Sequence, residues 1–194
     1  RQRQMCIRDR LFGGIISAFL GPSLANYSKD FVSENLYVGS YLSLAVLTFI
    51  PTILFLFYEG KSINKENINY TGRSYLELIS QPRFIQALAA SAFGYAIMTF
   101  LMTATPISMH VMEKMSLSKT GIVIQFHVAS MFLPSLVTGH LIKKIGHSNV
   151  IYIGIFFYSI TMFISIFDQT FFNYMFALIF LGIGWNFLFI SGTS

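Results

Sequence analysis

The chain has 194 residues, of which 54% are hydrophobic and only 11% are charged. Soluble domains carry about 25% charged residues, so this composition excludes an ordinary soluble domain and indicates the membrane class. The first ten residues carry +3 of the formal net charge of +5 and resemble a translated sequencing adapter, so we expect an artefact there and leave them out of the fold. The rest of the chain has no basic stripe that would neutralise phosphates, and a nucleic-acid partner is not expected.

Six apolar segments follow in chain order, and about 20 helical residues suffice to cross a hydrocarbon core about 30 Å thick. The first segment, residues 11–25, is shorter than a full crossing, and Pro22 is expected to end or kink it. The other five are long enough to span the bilayer: residues 35–58, 84–112, 120–146, 145–167 and 171–194. The sequence therefore predicts an all-α polytopic membrane protein, which we expect to be truncated at both ends.

The longest polar segment, residues 59–83, connects the second and third apolar segments. Ser74 followed by Glu77 makes a capping box, which predicts a short amphipathic helix over residues 74–80 on the membrane surface. Residues 59–83 and 143–149 together hold six lysines and arginines, against three in the loops of the opposite side. The positive-inside rule therefore predicts that the connector and the turn around residues 143–149 face the cytoplasm.

The segment 120–146 contains polar residues that survive in a membrane only where protein or water satisfies them. His127 is the only group near the middle of an apolar segment that titrates close to neutral pH. It is either a proton or substrate group, or a hydrogen-bonding partner between helices. Ser130 and Pro134 share its helical face, so a polar stripe is possible, whereas Gln125 points elsewhere.

Two further segments carry polar residues beside small or flexible ones. In residues 84–112 the threonine hydroxyls either bond their own helix or line a cavity, with Met98 and Met102 as adaptable walls. In residues 171–194 a tryptophan and an asparagine lie beside glycines, where they either pack or hold a planar or polar ligand. The candidate substrate contacts are therefore His127, Thr99, Thr103, Trp185 and Asn186.

Three features in a fixed order resemble the middle of a major facilitator superfamily transporter. They are Gly21-Pro22 in the first segment, the long connector, and a basic turn from Gly139 through Lys144 to Gly146. The sequence departs from the family pattern at Ser17 and Ala25, where glycine is usual. It also departs at Lys143, which occupies the place of an aspartate.

The resemblance implies a truncated twelve-helix bundle that works by alternating access. Residues 11–58 would be the last two helices of the N-terminal half, residues 59–83 the cytoplasmic connector, and residues 84–194 the first four helices of the C-terminal half. Segments 84–112 and 171–194 would line the cavity, and segments 35–58 and 145–167 would face lipid. Gly21, Pro22, Gly139, Lys144 and Gly146 would serve conformational gating.

The same resemblance implies a monomer in a bacterial cytoplasmic (inner) membrane that moves a small organic solute, alone or together with a proton or sodium ion. No cofactor, metal or catalytic residue is expected. Two other classes stay open: a non-transporting receptor or scaffold on a transporter fold, and a polytopic membrane enzyme. An enzyme would need a convergent acid, base or metal cluster, and His110, His140 and His147 fall near segment ends on different sides.

Overall fold

Every regular element that the structure describes is helical, which confirms the predicted all-α class. The structure, a computed structural model, describes residues 2–32, 37–58 and 74–194, with side chains from residue 13 onward. Its helices are α1 (Gln2–Ser28), α2 (Val38–Leu56), α3 (Tyr75–Ile79), α4 (Pro82–Ile107), α5 (Leu117–Phe132), α6 (Ser135–Ile145), α7 (His147–Ile166) and α8 (Phe171–Thr193). A π-helical turn, Ser108–Met112, extends α4. Most of the predicted connector, residues 59–73, lies outside the described residues.

Five segments among the described residues are long and apolar enough to cross a membrane. They are Val38–Leu56, Pro82–Met112, Leu117–Ile145, His147–Ile166 and Phe171–Thr193. These five correspond to the full-length segments predicted from the sequence, with ends shifted by a few residues. The short first segment belongs to α1, which is not among the five.

Two local predictions were wrong in detail. Helix α1 does not end at Pro22 but continues to Ser28, so of the two predicted effects of Pro22 the ending is wrong and the kink stays a prediction. In the last turn of α1, the carbonyl oxygen of Ala25 accepts from the Ser40 hydroxyl of α2 at 2.6 Å. The short helix α3 forms where it was predicted, but the Ser74 side chain makes no capping hydrogen bond. The first turn of α3 is closed instead by the backbone, since the N–H of Leu78 donates to the carbonyl of Ser74 at 3.1 Å.

The segment predicted as one span over residues 120–146 consists of two helices. Helix α5 ends at Phe132 and α6 begins at Ser135, so Leu133 and Pro134 separate them. Proline lacks an N–H and its ring clashes with the preceding turn, which explains a break at this position. Leu133 and Pro134 themselves keep right-handed helical dihedral angles, so the interruption is confined to these two residues.

The chain forms two compact units, Ser23–Gln81 and the combination of Arg1–Pro22 with Pro82–Ser194. In the smaller unit, α2 buries only Gly39, and the rest of its apolar surface is exposed. A helix that is apolar on all sides and uncovered by protein has the surface expected of a helix in contact with lipid.

In the larger unit, α8 packs against α4, α5 and α7. Three of its glycines each meet a different neighbour. A Cβ atom would lie 2.7 Å from the His127 carbonyl oxygen at Gly182, 3.0 Å from the Gly154 carbonyl oxygen at Gly184, and 2.6 Å from the Ala87 carbonyl oxygen at Gly192. Since these are backbone atoms that cannot move aside cheaply, the glycines are what allows α8 to lie at the centre of this unit.

Candidate functional site

The interface between α5 and α8 buries a titratable side chain. His127 is 0% exposed, and its Nδ1 lies 2.8 Å from the carbonyl oxygen of Leu178 on α8. Because a carbonyl can only accept, Nδ1 carries the hydrogen, and in the neutral ring Nε2 is then an acceptor. Within the part of the chain that the structure describes, Nε2 has no hydrogen-bond partner. One nitrogen is thus satisfied between helices and the other retains its lone pair.

Asn186 lies on the same interface, one turn beyond Gly182 on α8, and is 1% exposed. Its Nδ2 donates to the carbonyl oxygen of Met131 at 2.6 Å, and its Oδ1 accepts from the Thr138 hydroxyl at 2.7 Å. Ser130, also buried, donates to the carbonyl oxygen of His127 at 2.7 Å. His127 and Ser130 of α5 and Asn186 of α8 are therefore all buried at this interface.

Trp185 precedes Asn186 on α8 and is also buried. Its ring stacks on Phe189, with 4.8 Å between ring centroids and 10° between the planes. One face of the Trp185 ring therefore packs against Phe189, which is one of the two roles that the sequence left open for this residue. Its Nε1–H has no acceptor among the described residues.

Thr99 and Thr103 lie apart from the α5–α8 interface. Both are exposed on α4, and the Thr103 hydroxyl donates to the carbonyl oxygen of Thr99 at 2.8 Å. This bond within one helix is the alternative that the sequence left open for these hydroxyls. Of the two methionines beside them, Met98 is buried and Met102 half-buried.

The structure accounts for the residue type at some positions of the proposed gating motif and not at others. Gly146 has a φ of +85°, a conformation that favours glycine, and it joins the end of α6 directly to α7. Lys144 is exposed in the last turn of α6. A Cβ atom at Gly21 or Gly139 would meet nothing within 4 Å, so close packing among the described residues accounts for neither glycine.

Several buried polar residues were missed by the sequence analysis. The Tyr158 hydroxyl of α7 donates to the carbonyl oxygen of Gly94 on α4 at 2.6 Å, and the Thr161 hydroxyl donates to that of Ala177 on α8 at 3.1 Å. Thr138, which donates to Asn186, lies one helical turn after Pro134. This spacing puts Thr138 on the same helical face as Pro134, and it is the signal in the sequence that could have identified Thr138. The described residues contain no group of three His, Cys, Asp or Glu side chains that would hold a metal ion.

A cavity of about 490 Å³ lies between α4 and α7, and Leu188 of α8 contributes to its lining. Most of its walls are apolar side chains such as Phe93, Ile97 and Met162. None of the candidate substrate contacts lines it. The buried polar groups of the α5–α8 interface and this apolar cavity are therefore separate features of the larger unit.

Three curated proteins are similar to this chain over nearly its whole length. The riboflavin transporter RfnT of Brucella anthropi is 37% identical over 95% of the chain and 46% of its own length. The uncharacterized MFS-type transporters YdeG and YddS of Bacillus subtilis are 27% and 26% identical over 100% of the chain and 49% and 48% of their lengths. The chain thus spans about half the length of the curated relatives it matches. No family model and no solved structure matches it.

Proposed function

We propose that this chain, which belongs to the major facilitator superfamily, is part of a secondary transporter that moves a small organic solute across a membrane by alternating access. The resemblance recognised in the sequence implies that the chain runs from the fifth helix through the tenth of such a protein. The relatives are named as transporters, which favours transport over the receptor and enzyme alternatives.

The observation that carries this proposal is that two of the three buried side-chain polar atoms without a partner among the described residues belong to His127 and Trp185; the third is the Ser191 hydroxyl. His127 Nε2 is an acceptor and Trp185 Nε1–H is a donor, and neither has a partner among the described residues. Leaving such atoms unpaired in a protein interior costs about 1–3 kcal/mol each, so their retention calls for a partner that binds during function. We assign that role to the transported solute, or at His127 to a coupling proton.

We further propose that the solute is riboflavin or a compound of similar chemistry. A relative at 37% identity is named a riboflavin transporter. Riboflavin combines a flat aromatic ring system with hydrogen-bond donors and acceptors, so it suits an indole N–H and an imidazole lone pair on neighbouring helices. The described spans carry Arg, Lys, Asp or Glu only in their terminal turns, at Arg83, Lys119, Lys143 and Lys144. Their uncharged interiors favour a solute that needs no counter-charge from this part of the protein.

The proposed setting is a bacterial cytoplasmic membrane, with the connector and Lys144 on the cytoplasmic side. The excess of lysines and arginines on that side supports the orientation. Coupling to a proton or sodium ion is proposed with it. His127 is the histidine that lies farthest from the ends of the described spans, and we assign the proton to it.

Uptake of radiolabelled riboflavin by proteoliposomes tests the proposal, with the complete transporter that contains this chain reconstituted at known density. We expect saturable uptake above that of protein-free vesicles, accelerated by an imposed proton or sodium gradient and reduced by excess unlabelled riboflavin. Riboflavin binding without uptake would assign the protein to the receptor class instead.

A further inference from the structure

Asn186 bridges the break between α5 and α6. Its Nδ2 donates to the carbonyl oxygen of Met131, which precedes the break, at 2.6 Å. Its Oδ1 accepts from the hydroxyl of Thr138, which follows the break, at 2.7 Å. Between these contacts lie Leu133 and Pro134, and Pro134 has no N–H with which to continue the helical hydrogen bonds. A single α8 side chain therefore holds the helices on both sides of the interruption.

The helices on the two sides of the break are held very differently. The backbone of helix α5 contacts α8 at Gly182. Helix α5 also buries five of its residues, which are Thr120, Val123, His127, Ser130 and Met131. Helix α6 buries Thr138 alone. A Cβ atom at Gly139 would meet nothing within 4 Å, so the next residue of α6 has free space beside it. Helix α5 is thus fixed to α8, whereas the burial of α6 is confined to one threonine.

The Thr138 hydroxyl has two acceptors within reach. One is Asn186 Oδ1 at 2.7 Å, and the other is the carbonyl oxygen of Pro134, one turn back in its own helix, at 2.8 Å. A hydroxyl has a single hydrogen, so it donates fully to one acceptor at a time. The bond to Asn186 can therefore open while the hydroxyl stays bonded within α6, and opening leaves no unpaired donor on Thr138.

We propose that α6 is a movable arm hinged at Leu133 and Pro134, and that Asn186 and Thr138 form the latch that holds it against α8. Asn186 is then a positioning residue that acts through α6, not a contact of the solute. The consequence for transport rests on the proposed function, because an arm that moves contributes to the change between inward-open and outward-open states. The latch itself is a property of these helices and needs no solute.

Distances between spin labels test the latch in the complete protein. Cysteines replace Lys119 at the start of α5 and Lys144 at the end of α6, both exposed, in a complete protein whose other cysteines are replaced by serine. The distance between the two labels then reports the angle at the break. A second pair at Ser148 and Ile166, the exposed ends of the unbroken α7, provides the rigid control.

Thr138→Val removes the hydroxyl with little change of shape, and we expect it to add a second population to the distances between residues 119 and 144. Thr138→Ser retains the hydroxyl and should restore the single population. Thr161→Val is the matched control, since it removes an equally buried hydroxyl between α7 and α8 away from the break. An unchanged distance distribution in Thr138→Val, or the same broadening in Thr161→Val, overturns the latch.

A transport assay separates the latch from a ligand contact. A positioning role predicts that Asn186→Leu, which removes the bonds to both Met131 and Thr138, and Thr138→Val change the maximal rate severalfold with little change in KM. A raised KM at unchanged maximal rate in both variants would overturn the positioning role. The spin-label distances do not depend on any solute, so failure of the proposed substrate leaves this test intact.

Discussion

At the scale of single residues, the sequence predicted which polar side chains are buried in the bundle more successfully than it predicted their hydrogen-bond partners. His127 and Asn186 are buried as expected of polar residues in a span, but each donates to a backbone carbonyl, that of Leu178 and that of Met131. No residue pattern marks a carbonyl as an acceptor, since every residue has one. Thr99 and Thr103 show the converse, because their helical face is exposed and composition alone does not decide which face is covered.

Replacement of His127 by Phe is expected to reduce solute uptake about tenfold or more, because the ring keeps its volume but loses both nitrogens. Loss of one buried hydrogen bond corresponds to about 1–2 kcal/mol, which is a factor of about ten. Initial uptake rates in proteoliposomes measure the effect. Ser165→Ala serves as control, since that hydroxyl only bonds the carbonyl of Thr161 in its own helix. Uptake equal in both variants would remove His127 from the solute path.

Tyr158→Phe is expected to lower the free energy of unfolding by about 1–2 kcal/mol. The substitution deletes a buried donor and leaves the carbonyl oxygen of Gly94 without that bond. Unfolding in mixed detergent micelles measures the change. The control is Tyr152→Phe, because Tyr152 is 62% exposed on the same helix. If both variants unfold alike, the link between α7 and α4 contributes no measurable stability.

At the scale of elements, the lengths of the apolar segments predicted the five spans. The positions of the prolines were a less reliable guide to where a helix is interrupted. Pro134 interrupts a helix and Pro22 does not. The difference lies in tertiary contacts: α2 holds the turn beyond Pro22 through Ser40, while Asn186 stabilises the two separated ends around Pro134. Neither contact is visible in a single segment. The glycines of the last segment were expected to allow close approach, and which helix each one meets followed only from the packing.

Gly182→Ala is expected to cost about 1–3 kcal/mol of stability, the range typical of overpacking. Its Cβ would lie 2.7 Å from the carbonyl oxygen of His127, so α5 would have to move away from α8. Heat-induced loss of the monodisperse peak in size-exclusion chromatography measures the change. Gly139→Ala is the control, because its Cβ has open space and alanine favours helix by about 1 kcal/mol. A Gly182→Ala protein as stable as the control would contradict the close packing.

At the scale of the whole molecule, composition and loop charge predicted a membrane bundle and its orientation. The described residues contain the five expected spans, and the relatives belong to a transporter superfamily. Counts of lysines and arginines in short loops predict only the orientation of the helices in the membrane. They carry no information about which solute moves or which ion drives it, because those properties depend on the arrangement of several helices around one path.

The orientation predicts opposite labelling of two lysine positions. With all other cysteines of the complete protein replaced by serine, a cysteine at Lys144 should react with a membrane-impermeant thiol reagent only from the cytoplasmic side. A cysteine at Lys119 should react only from the opposite side. Labelling of intact cells against inverted membrane vesicles measures both. Reaction of both cysteines from one side would show that the segment between them does not cross the membrane.

Counterflow in proteoliposomes tests most directly the central claim that the complete protein carries a solute by alternating access. Vesicles preloaded with unlabelled riboflavin are diluted into a trace of labelled riboflavin without any ion gradient. A carrier that exposes one site to each side in turn predicts a transient accumulation of label above equilibrium, weakened in His127→Phe. Label that rises only to equilibrium, or that binds in a fixed ratio to the protein without entering the vesicles, would contradict the claim.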